Sequence, residues 1–402
     1  MNRPDLMIFE PNLGGHHAEF TCHLLKHWIG AAPHGKLLAA VAPGLLEQQP
    51  ALSKGAIQPP QTERAPLTGP LPGTSASLWV KGLRNRRLLT DAIKKHRPKR
   101  VLIMYMDHAQ MGLALGLRFP FPVRISGILF HPTLHYPAAR SFSPKAHLQR
   151  LRKRWLLQLV ARNRHLDTVF TLDASAVPSL KALGLRAVAL ADPVGPGNVD
   201  ARTPQEMKRL HGIDPDRKVL LLFGALTARK GVVPMLKSVA MLPPWAARQV
   251  ALLMAGPLDP ALRPQVSLLS SGARAAGVQV VHHDAYIQSG SAQPFMEAAD
   301  LVLAPYQRHF GSSAVLVRAA RAQRPVLSQE FGLMGANVRD YGLGQCVDTA
   351  DPGAIAAGIE TFLNEPGSGY DRQRSAGFVQ ANTPDRFCRT LLSHLLPPES
   401  SL

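Results

Sequence analysis

Two adjacent cations, Arg229 and Lys230, follow a continuous apolar run at residues 219–223 and directly precede Gly231. Such a run is typical of a buried strand in a parallel sheet, and open α/β sheets bind ligands beyond the carboxyl ends of their strands. The two cations and the free N–H groups of the helix that should follow are suited to hold a phosphate. The alternative is a solvated pair of cations in a strand–helix loop.

Further candidate loops follow other apolar runs. Gly14, Gly15 and His16 come after a predicted first strand, Leu6–Glu10, and the glycine pair would let the backbone approach a ligand closely. His131 comes directly after the apolar run 124–130. Because the carboxyl ends of parallel strands meet at one edge of a sheet, these loops are candidates for a shared site.

The second half of the chain supplies two more loops of this kind. Asp284 and Tyr286 follow a predicted strand at 278–282. The loop after the strand 301–304 contains four candidate residues, namely His309, Gly311, Ser312 and Ser313. The N–H groups of Ser312 and Ser313 are at the start of a predicted helix, 313–322, whose dipole favours an anion. Ser312 or Ser313 acting only as an N-cap is the alternative.

Strands and helices alternate regularly on both sides of a Pro/Gly-rich segment, 192–197. This alternation predicts an α/β protein with two doubly wound, Rossmann-like domains facing a central cleft. We expect a first domain over 1–191 and a second over 192–383, with a C-terminal helix at about 384–402 packing back on the first. The proline-rich stretch 57–73 predicts a long loop.

Composition and motifs narrow the class of protein. The 402 residues, 46% of them hydrophobic, suffice for two cores. Three scattered cysteines and the lack of an N-terminal apolar segment or a membrane-length apolar run predict a cytoplasmic protein with reduced thiols. There is no G-x-S-x-G, H-E-x-x-H or Walker A motif and no metal-ligand spacing, so we expect neither a metal site nor a bound cofactor.

The net charge of +19 requires an anionic partner: nucleic acid, an anionic membrane surface or anionic substrates. No Asp or Glu lies between Asp107 and Asp167. Within this interval a predicted helix, 145–165, places four apolar residues on one face, Leu148, Leu151, Trp155 and Leu159. The cations around that face are Lys145, Arg150, Arg152, Lys153, Arg154, Arg162 and Arg164. A basic amphipathic helix suits an anionic bilayer surface, and a core-packed helix with a solvated basic face is the alternative.

The order of these motifs resembles that of retaining glycosyltransferases of the GT-B fold, particularly family 4. Residues 192–194 stand where that family has its hinge, and LLLFGALTARKG is similar to its strand–Gly–Arg–x–x–x–Lys–Gly element. ADLVLAPYQRHFGSSAVLVRAARAQRPVLSQ is similar to the segment that ends in Gly-x-Pro-Val. NLGGHHAEF resembles the glycine-rich first loop, and FHPTLHYP the loop of the active-site histidine, which falls on His131.

The resemblance implies transfer of a sugar, with retention and without a metal, from a nucleotide-diphosphate sugar to a glycan or polyprenyl-linked acceptor of the cell envelope. His131, Arg229 and Lys230 would be the catalytic residues. The acceptor would lie near His131 and the first loop. The donor-binding residues would be Gly14, Gly15, His16, Gly224, Asp284, Tyr286, His309, Gly311, Ser312 and Ser313.

One departure from the family concerns its two spaced glutamates. His309 or Phe310 occupies the first position and Arg318 the second. A guanidinium only donates hydrogen bonds, so Arg318 cannot accept from ribose hydroxyls. Either the ribose is held otherwise, or the donor differs, or activity is lost. The alternatives are an inactive or epimerase-like GT-B protein and a basic nucleic-acid-binding protein, although aromatic residues are only 6% of the chain.

Overall fold

The computed structural model describes residues 3–13, 17–31, 35–45, 62–68, 71, 77–134, 144–197 and 202–396. The chain forms two compact units, one of Met1–Pro193 with Pro384–Leu402 and one of Val194–Thr383. The candidate residues Gly14, Gly15 and His16 lie outside the described residues.

The first unit is built on a parallel sheet. Its strands are β1 (Leu6–Glu10), β2 (Leu37–Val41), β3 (Thr62–Arg64), β4 (Arg100–Ile103), β5 (Arg124–Ile128), β6 (Leu166–Thr171) and β7 (Ala187–Ala189). They pair in the order β3-β2-β1-β4-β5-β6-β7. The helices are α1 (His17–Ala31), α2 (Leu78–His96), α3 (Gln110–Ala114), α4 (Pro144–Ala161) and α5 (Val177–Lys181).

The second unit repeats this architecture. Its strands are β8 (Lys218–Phe223), β9 (Val250–Ala255), β10 (Gln279–His283), β11 (Leu301–Ala304), β12 (Val326–Gln329) and β13 (Gly344–Val347), paired in parallel in the order β10-β9-β8-β11-β12-β13. Its helices are α6 (Pro204–Leu210), α7 (Val232–Ala240), α8 (Pro244–Gln249), α9 (Arg263–Ala275), α10 (Gln293–Ala298), α11 (Ala314–Arg321), α12 (Gly332–Tyr341), α13 (Pro352–Asn364) and α14 (Arg372–Ala381). The last helix, α15 (Pro384–Leu395), packs on α1 of the first unit.

Each sheet has a core on both faces, which explains the continuous apolar strands. Along β1, Met7 and Phe9 join one buried cluster, whereas Leu6 and Ile8 join another that includes Trp28 of α1. Side chains of a strand alternate between faces, so a strand covered on both sides is apolar throughout.

The strand order places a topological switch point in each unit. In the second unit the chain passes from β8 to β9 and β10 on one side and then returns to β11 on the other. In the first unit β1 stands in the same way between β2 and β4. The carboxyl ends of β8 and β11, and of β1 and β4, therefore flank the crevices where such sheets bind ligands.

The structure corrects several predicted elements. β3 falls inside the stretch 57–73 that was predicted to be a loop, and it is a three-residue strand beside β2. The apolar run 101–106 would predict a longer strand than β4, which ends at Ile103 and is followed by a turn of 3-10 helix over Met106–His108. Short elements of one or two turns leave too little period in a sequence to be recognised.

Candidate functional site

The loops after β8 and β11 lie against each other at the switch point of the second unit. Gly231 ends a turn of 3-10 helix, Ala228–Lys230, with φ of 75°. A Cβ atom at Gly231 would stand 1.9 Å from the carbonyl oxygen of Pro305. The N–H of Gln307 also donates to the carbonyl of Arg229 at 2.8 Å. Only glycine fits this contact, so the two loops form a single structural piece.

Lys230 is buried at this junction, with 5% of its surface exposed. Its Nζ atom donates to the carbonyl oxygen of Phe223 at 2.8 Å and to the hydroxyl of Tyr306 at 2.6 Å. Gly224, with φ of 100°, makes room for this ammonium group, because a Cβ atom there would lie 3.3 Å from Nζ. An ammonium group has three donors, so one donor is available beyond these two bonds.

Tyr306 connects the candidate cations. Its hydroxyl also lies 2.7 Å from the Oγ atom of Ser313, and its ring lies 5.2 Å from the guanidinium carbon of Arg229. Burial by itself would raise the pKa of Tyr306. The charge of Lys230, the hydrogen bonds from Lys230 and Ser313 and the charge of Arg229 outweigh it, so that pKa lies below its ordinary value.

Ser313 is the N-cap residue of α11, but its side chain makes no capping hydrogen bond. The hydroxyl turns instead to Tyr306. The first N–H groups of a helix have no partner within the helix, so the start of α11 adds positive potential beside Lys230. Gly311 is buried and Ser312 half-buried at the same helix start.

His309 is part of the loop's own support. Its Nε2 atom lies 3.1 Å from the carbonyl oxygen of Ser312, and its ring lies 5.2 Å from that of Tyr306. The buried side chain of Gln329, at the end of β12, bonds both the N–H and the carbonyl of His309. These contacts fix the loop that carries Tyr306.

Asp284 and Tyr286 lie after β10, on the other side of β8. Asp284 accepts from the N–H of Leu258 at 2.9 Å and pairs with Arg263 at 2.6 Å. Its pKa is lowered, first by the Leu258 hydrogen bond and also by Arg263. Asp284 thus connects the loops after β9 and β10.

Tyr286 is 79% exposed at the mouth of a cavity of about 240 Å³. His211, His283, Ile287 and Phe295 are among the residues that line it. The ring of Phe295 lies 5.9 Å from that of Phe223, whose carbonyl oxygen binds Lys230. The ring pair of Phe295 and Phe223 therefore connects the cavity to the Lys230 site.

The corresponding edge of the first unit holds His131. Its Nδ1 atom lies 3.4 Å from Oδ1 of Asp107, whose carboxylate also accepts from the backbone N–H groups of Phe130 and His131. Lys153 of α4 donates to the carbonyl oxygen of His131. A carboxylate only accepts, so Asp107 fixes the orientation of the imidazole about Nδ1.

Charges compensate one another at this edge. Burial tends to raise the pKa of Asp107, but the hydrogen bond from His131, the charge of Lys153 and the Phe130 N–H hold it below its ordinary value. Burial lowers the pKa of Lys153, and Asp107 opposes that change. Lys153 is therefore not part of a solvated basic face, as the alternative interpretation of this helix would require.

The predicted basic helix corresponds to α4, and its apolar residues point outward. Leu148, Leu151, Trp155 and Leu159 are all exposed, Trp155 by 68%, whereas Leu157 and Val160 form the buried face. The alternative in which these four residues pack into the core is therefore wrong. Among the described helices, none combines the length and apolar character needed to cross a bilayer.

Arg318 lies on α11 and is 5% exposed. It stands at the position that corresponds to the second glutamate of the resembled family. Within the described part of the chain, no group of three His, Cys, Asp or Glu side chains is placed to hold a metal ion.

Sequence reasoning did not identify Tyr306, Asp107 or Lys153 as site residues. Lys153 did carry a signal, because it shares a helical stripe with the buried residues Leu157 and Val160, four and seven positions later. Asp107 and Tyr306 carried none, since their roles depend on which strands are neighbours.

The second unit has a recognisable sequence relationship. Residues 217–365 match the family model described as Glycosyl transferases group 1. A search of curated proteins finds no match to the chain by sequence. The matched segment contains Lys230, Tyr306 and Ser313, so the site described above lies inside the recognised domain.

Solved structures match almost the whole chain. Sucrose-phosphate synthase from Thermosynechococcus elongatus superposes with a TM-score of 0.70 at 16% identity, covering 97% of each chain. Anabaena Alr3699/HepE in complex with UDP and glucose gives 0.65 at 15% identity, covering 97% of this chain and 99% of that one. WaaG, a glycosyltransferase involved in lipopolysaccharide biosynthesis, gives 0.62 at 14% identity, covering 98% and 100%.

These likenesses establish the GT-B fold, with its two Rossmann-like parallel sheets. Together with the matched domain they define the class of protein: an enzyme of the glycosyltransferase type.

Proposed function

We propose that the protein transfers a sugar, with retention and without a metal ion, from a nucleoside-diphosphate sugar to a glycan or lipid-linked acceptor. The observation that carries the proposal is the buried Lys230 at the switch point of the second unit, beside Arg229 and the start of α11. Fixed cations at such a point favour a diphosphate without help from a metal.

The diphosphate would lie against the third donor of Lys230. In the transfer, the bond between the sugar's anomeric carbon and the diphosphate oxygen breaks, a bond to the acceptor's hydroxyl oxygen forms, and the proton of that hydroxyl passes to the departing diphosphate. The departing diphosphate gains negative charge. Lys230, Arg229 and the α11 N–H groups stabilise that charge, and the stabilisation is strongest when the groups are already in place.

Tyr306 would be the positioning residue of this site. Its hydroxyl holds Lys230 and Ser313, and its ring lies beside Arg229. One side chain therefore sets the places of two cations and the start of a helix. A tyrosine does this without adding a negative charge, as long as the phenol stays protonated.

The nucleoside would extend from Lys230 towards Tyr286. The cavity under Tyr286 is adjacent to Phe223 through Phe295, and its lining is largely aromatic and apolar, as a base requires. Anabaena HepE, which has the same fold, forms a complex with UDP and glucose, so UDP is the first nucleotide to test. Since Arg318 only donates hydrogen bonds, we propose that groups other than Arg318 accept hydrogen bonds from the ribose hydroxyls.

The acceptor would bind at the edge of the first unit, where His131 orients it. Asp107 and Lys153 hold the imidazole and the backbone of His131 in place. This support suits a group that positions a hydroxyl.

The exposed apolar residues of α2 and α4 would dock the enzyme on an anionic membrane. Trp79 and Leu83 of α2 are each 51% exposed, and the guanidinium carbon of Arg152 on α4 lies 5.4 Å from the ring of Trp79. We call the surface formed by Trp79, Leu83, Leu148, Leu151, Trp155 and Leu159 the α2–α4 face. Apolar side chains among cations suit the headgroup region of a bilayer, which would place the enzyme on the inner face of the cytoplasmic membrane.

Nucleotide binding tests the donor site directly. UDP should raise the melting temperature, and Lys230→Ala should abolish the rise, whereas Lys237→Ala, an exposed lysine of the adjoining helix α7, should keep it. Release of UDP from UDP-glucose, or another nucleotide sugar in a panel, then reports the transfer reaction. No shift with any nucleoside diphosphate would refute the donor site. A shift without turnover of any sugar donor would favour an inactive GT-B protein.

A further inference from the structure

A cationic pocket lies in the first unit, away from His131. It is a cavity of about 820 Å³ between α2, the residues after α3 and the residues after α4. Its lining residues are Arg86, Thr90, Lys94, Leu115, Gly116, Leu117, Arg118, Arg162, Asn163 and Arg164. No Asp or Glu is among them, so the pocket concentrates positive charge with no neutralising carboxylate of its own.

The wall of this pocket is braced. Arg86 donates to the carbonyl oxygen of Gly116 at 3.2 Å, which joins α2 to the segment after α3. The buried Asn163 donates to the carbonyl of Leu113 at 3.0 Å and accepts from the N–H of His165 at 3.0 Å. The segments that carry the cations are therefore held in place without a ligand, as a preformed site requires.

Electrostatics favour an anion here. In the described part of the chain, Arg86, Lys94, Arg118, Arg162 and Arg164 form no ion pair with a carboxylate. Lys94 lies in the last turn of α2, and Arg162 directly follows α4. Helix C-termini carry partial negative charge and stabilise such cations, but the cations still repel one another. An anion that enters the pocket relieves this repulsion.

The pocket continues the α2–α4 face. On α2, Trp79, Leu83, Arg86, Thr90 and Lys94 follow one another at spacings of three or four residues, which is one stripe of a helix. Apolar residues form the first part of the stripe and pocket residues the second.

The same sequence of features occurs on α4. Leu148, Leu151, Trp155 and Leu159 form an exposed stripe, and Arg162 follows three positions later. Leu115, at the pocket itself, is 56% exposed. An apolar strip and a cationic pocket are thus adjacent parts of one surface.

We infer that the cationic pocket binds the phosphate group of an anionic phospholipid while the α2–α4 face rests in the bilayer. This inference rests on the membrane docking proposed above and adds a headgroup site to it. Arginine guanidiniums suit phosphate oxygens, and the exposed Leu and Trp side chains beside them suit acyl chains. A nucleic acid would use the cations but would gain nothing from the leucines.

Two matched sets of substitutions on the full-length protein test the site. The pocket set removes three charges from the pocket and combines Arg118→Gln, Arg162→Gln and Arg164→Gln. The control set removes three charges from exposed positions of α2 outside the pocket and combines Arg84→Gln, Arg87→Gln and Lys95→Gln. Binding of each protein to vesicles of phosphatidylcholine with phosphatidylglycerol, and of phosphatidylcholine alone, is measured by sedimentation.

The wild-type protein should bind only the anionic vesicles. The pocket set should weaken this binding about tenfold or more, and at least threefold more than the control set, because both sets lose general attraction to the anionic surface but only the pocket set loses direct contacts with a phosphate. Equal weakening by the two sets, or none by the pocket set, overturns the headgroup site while leaving membrane docking in place. No binding of the wild type to anionic vesicles overturns both.

Two further measurements separate the remaining outcomes. The first is binding of the wild-type protein to a short DNA duplex. If the pocket set loses this binding and vesicles do not compete for it, the lipid assignment is overturned in favour of nucleic acid. The UDP-induced rise in melting temperature should be the same in the pocket set as in the wild type. That rise depends on folding and on the donor site but not on the pocket. A failure of the donor proposal can therefore be distinguished from a failure of the pocket proposal.

Discussion

Each of the two units has a lysine at the carboxyl edge of its sheet, but a different side chain faces the positive charge in each unit. In the first unit, Lys153 and His131 lie beside the carboxylate of Asp107. In the second, Lys230 and Arg229 lie beside Tyr306. A carboxylate cancels a positive charge, whereas a protonated tyrosine binds the cation and leaves its charge in place. The first edge is therefore suited to a neutral hydroxyl and the second to an anion.

The sharpest way to break this contrast is to place a carboxylate at the second edge. Ser313→Asp should lower UDP affinity about 100-fold, roughly 2.7 kcal/mol, because its charge would compete with the diphosphate for Lys230. The melting temperature should change little, since Asp is a favoured N-cap residue. Calorimetry with UDP measures the effect.

The matched control is Ser313→Asn, which has nearly the shape of Asp without the charge and should lose far less affinity. If Ser313→Asp binds UDP within threefold of wild type, Ser313 does not face the diphosphate.

Removing the carboxylate from the first edge should destabilise that unit. Asp107→Asn removes the negative charge that interacts with the half-buried Lys153, and leaving such a cation uncompensated costs up to about 3 kcal/mol. We expect the melting temperature of the first unit to fall by about 8 °C, and scanning calorimetry measures this change. Asp167→Asn, which removes the partner of the exposed Arg186, should cost less than about 1 kcal/mol.

A second substitution tests whether charge is the cause. Lys153→Met added to Asp107→Asn should restore part of the lost stability, because the stranded cation is gone. A double variant that is less stable than Asp107→Asn would show that packing, not charge, dominates at this edge.

Removing only the hydroxyl of Tyr306 should have a smaller effect. Tyr306→Phe keeps the ring beside Arg229 but releases Lys230 and Ser313, so UDP affinity should fall about tenfold, roughly 1.4 kcal/mol. Uridine affinity should be unchanged.

Chemical acetylation read by mass spectrometry should also modify Lys230 faster in Tyr306→Phe than in wild type. Tighter UDP binding by this variant would mean that the hydroxyl obstructs the diphosphate and does not position its cations.

The smallest expected effect is on pH dependence. As pH rises through the lowered pKa of Tyr306, the phenol becomes a phenolate and cancels the charge of Lys230. UDP affinity should therefore be highest at neutral pH and fall severalfold as the pH rises towards the ordinary pKa of tyrosine, about 10. Titration calorimetry should show this fall in the wild type and a shallower one in Tyr306→Phe. Identical profiles would exclude Tyr306 as the titrating group.

The fold could be predicted well from sequence because its strands are apolar on both faces and are separated by helices of regular period. β8 and the cation–glycine pair after it carry both signals. β3 could not be predicted, since three residues at an edge have no period of their own. No element is predicted between β12 and α15, where the structure forms α12, β13, α13 and α14.

The site could be predicted only in part. Lys230 could be located because a lysine before a glycine at a strand end is a local pattern. Its partner Tyr306 is 76 residues away, and only the pairing of β8 with β11 brings the two together. Lys153 cannot be distinguished from the other cations of α4 by charge, and only its position in one stripe with the buried Leu157 and Val160 sets it apart.

The contact between Gly231 and the Pro305 carbonyl has a practical consequence for engineering. The segments 224–231 and 305–313 make one surface from two distant parts of the chain, and at Gly231 there is no space between them for even a methyl group. A loop graft from another glycosyltransferase should therefore succeed only when both segments are exchanged together. Donor specificity in this protein would then be inherited as a pair of loops rather than one residue at a time.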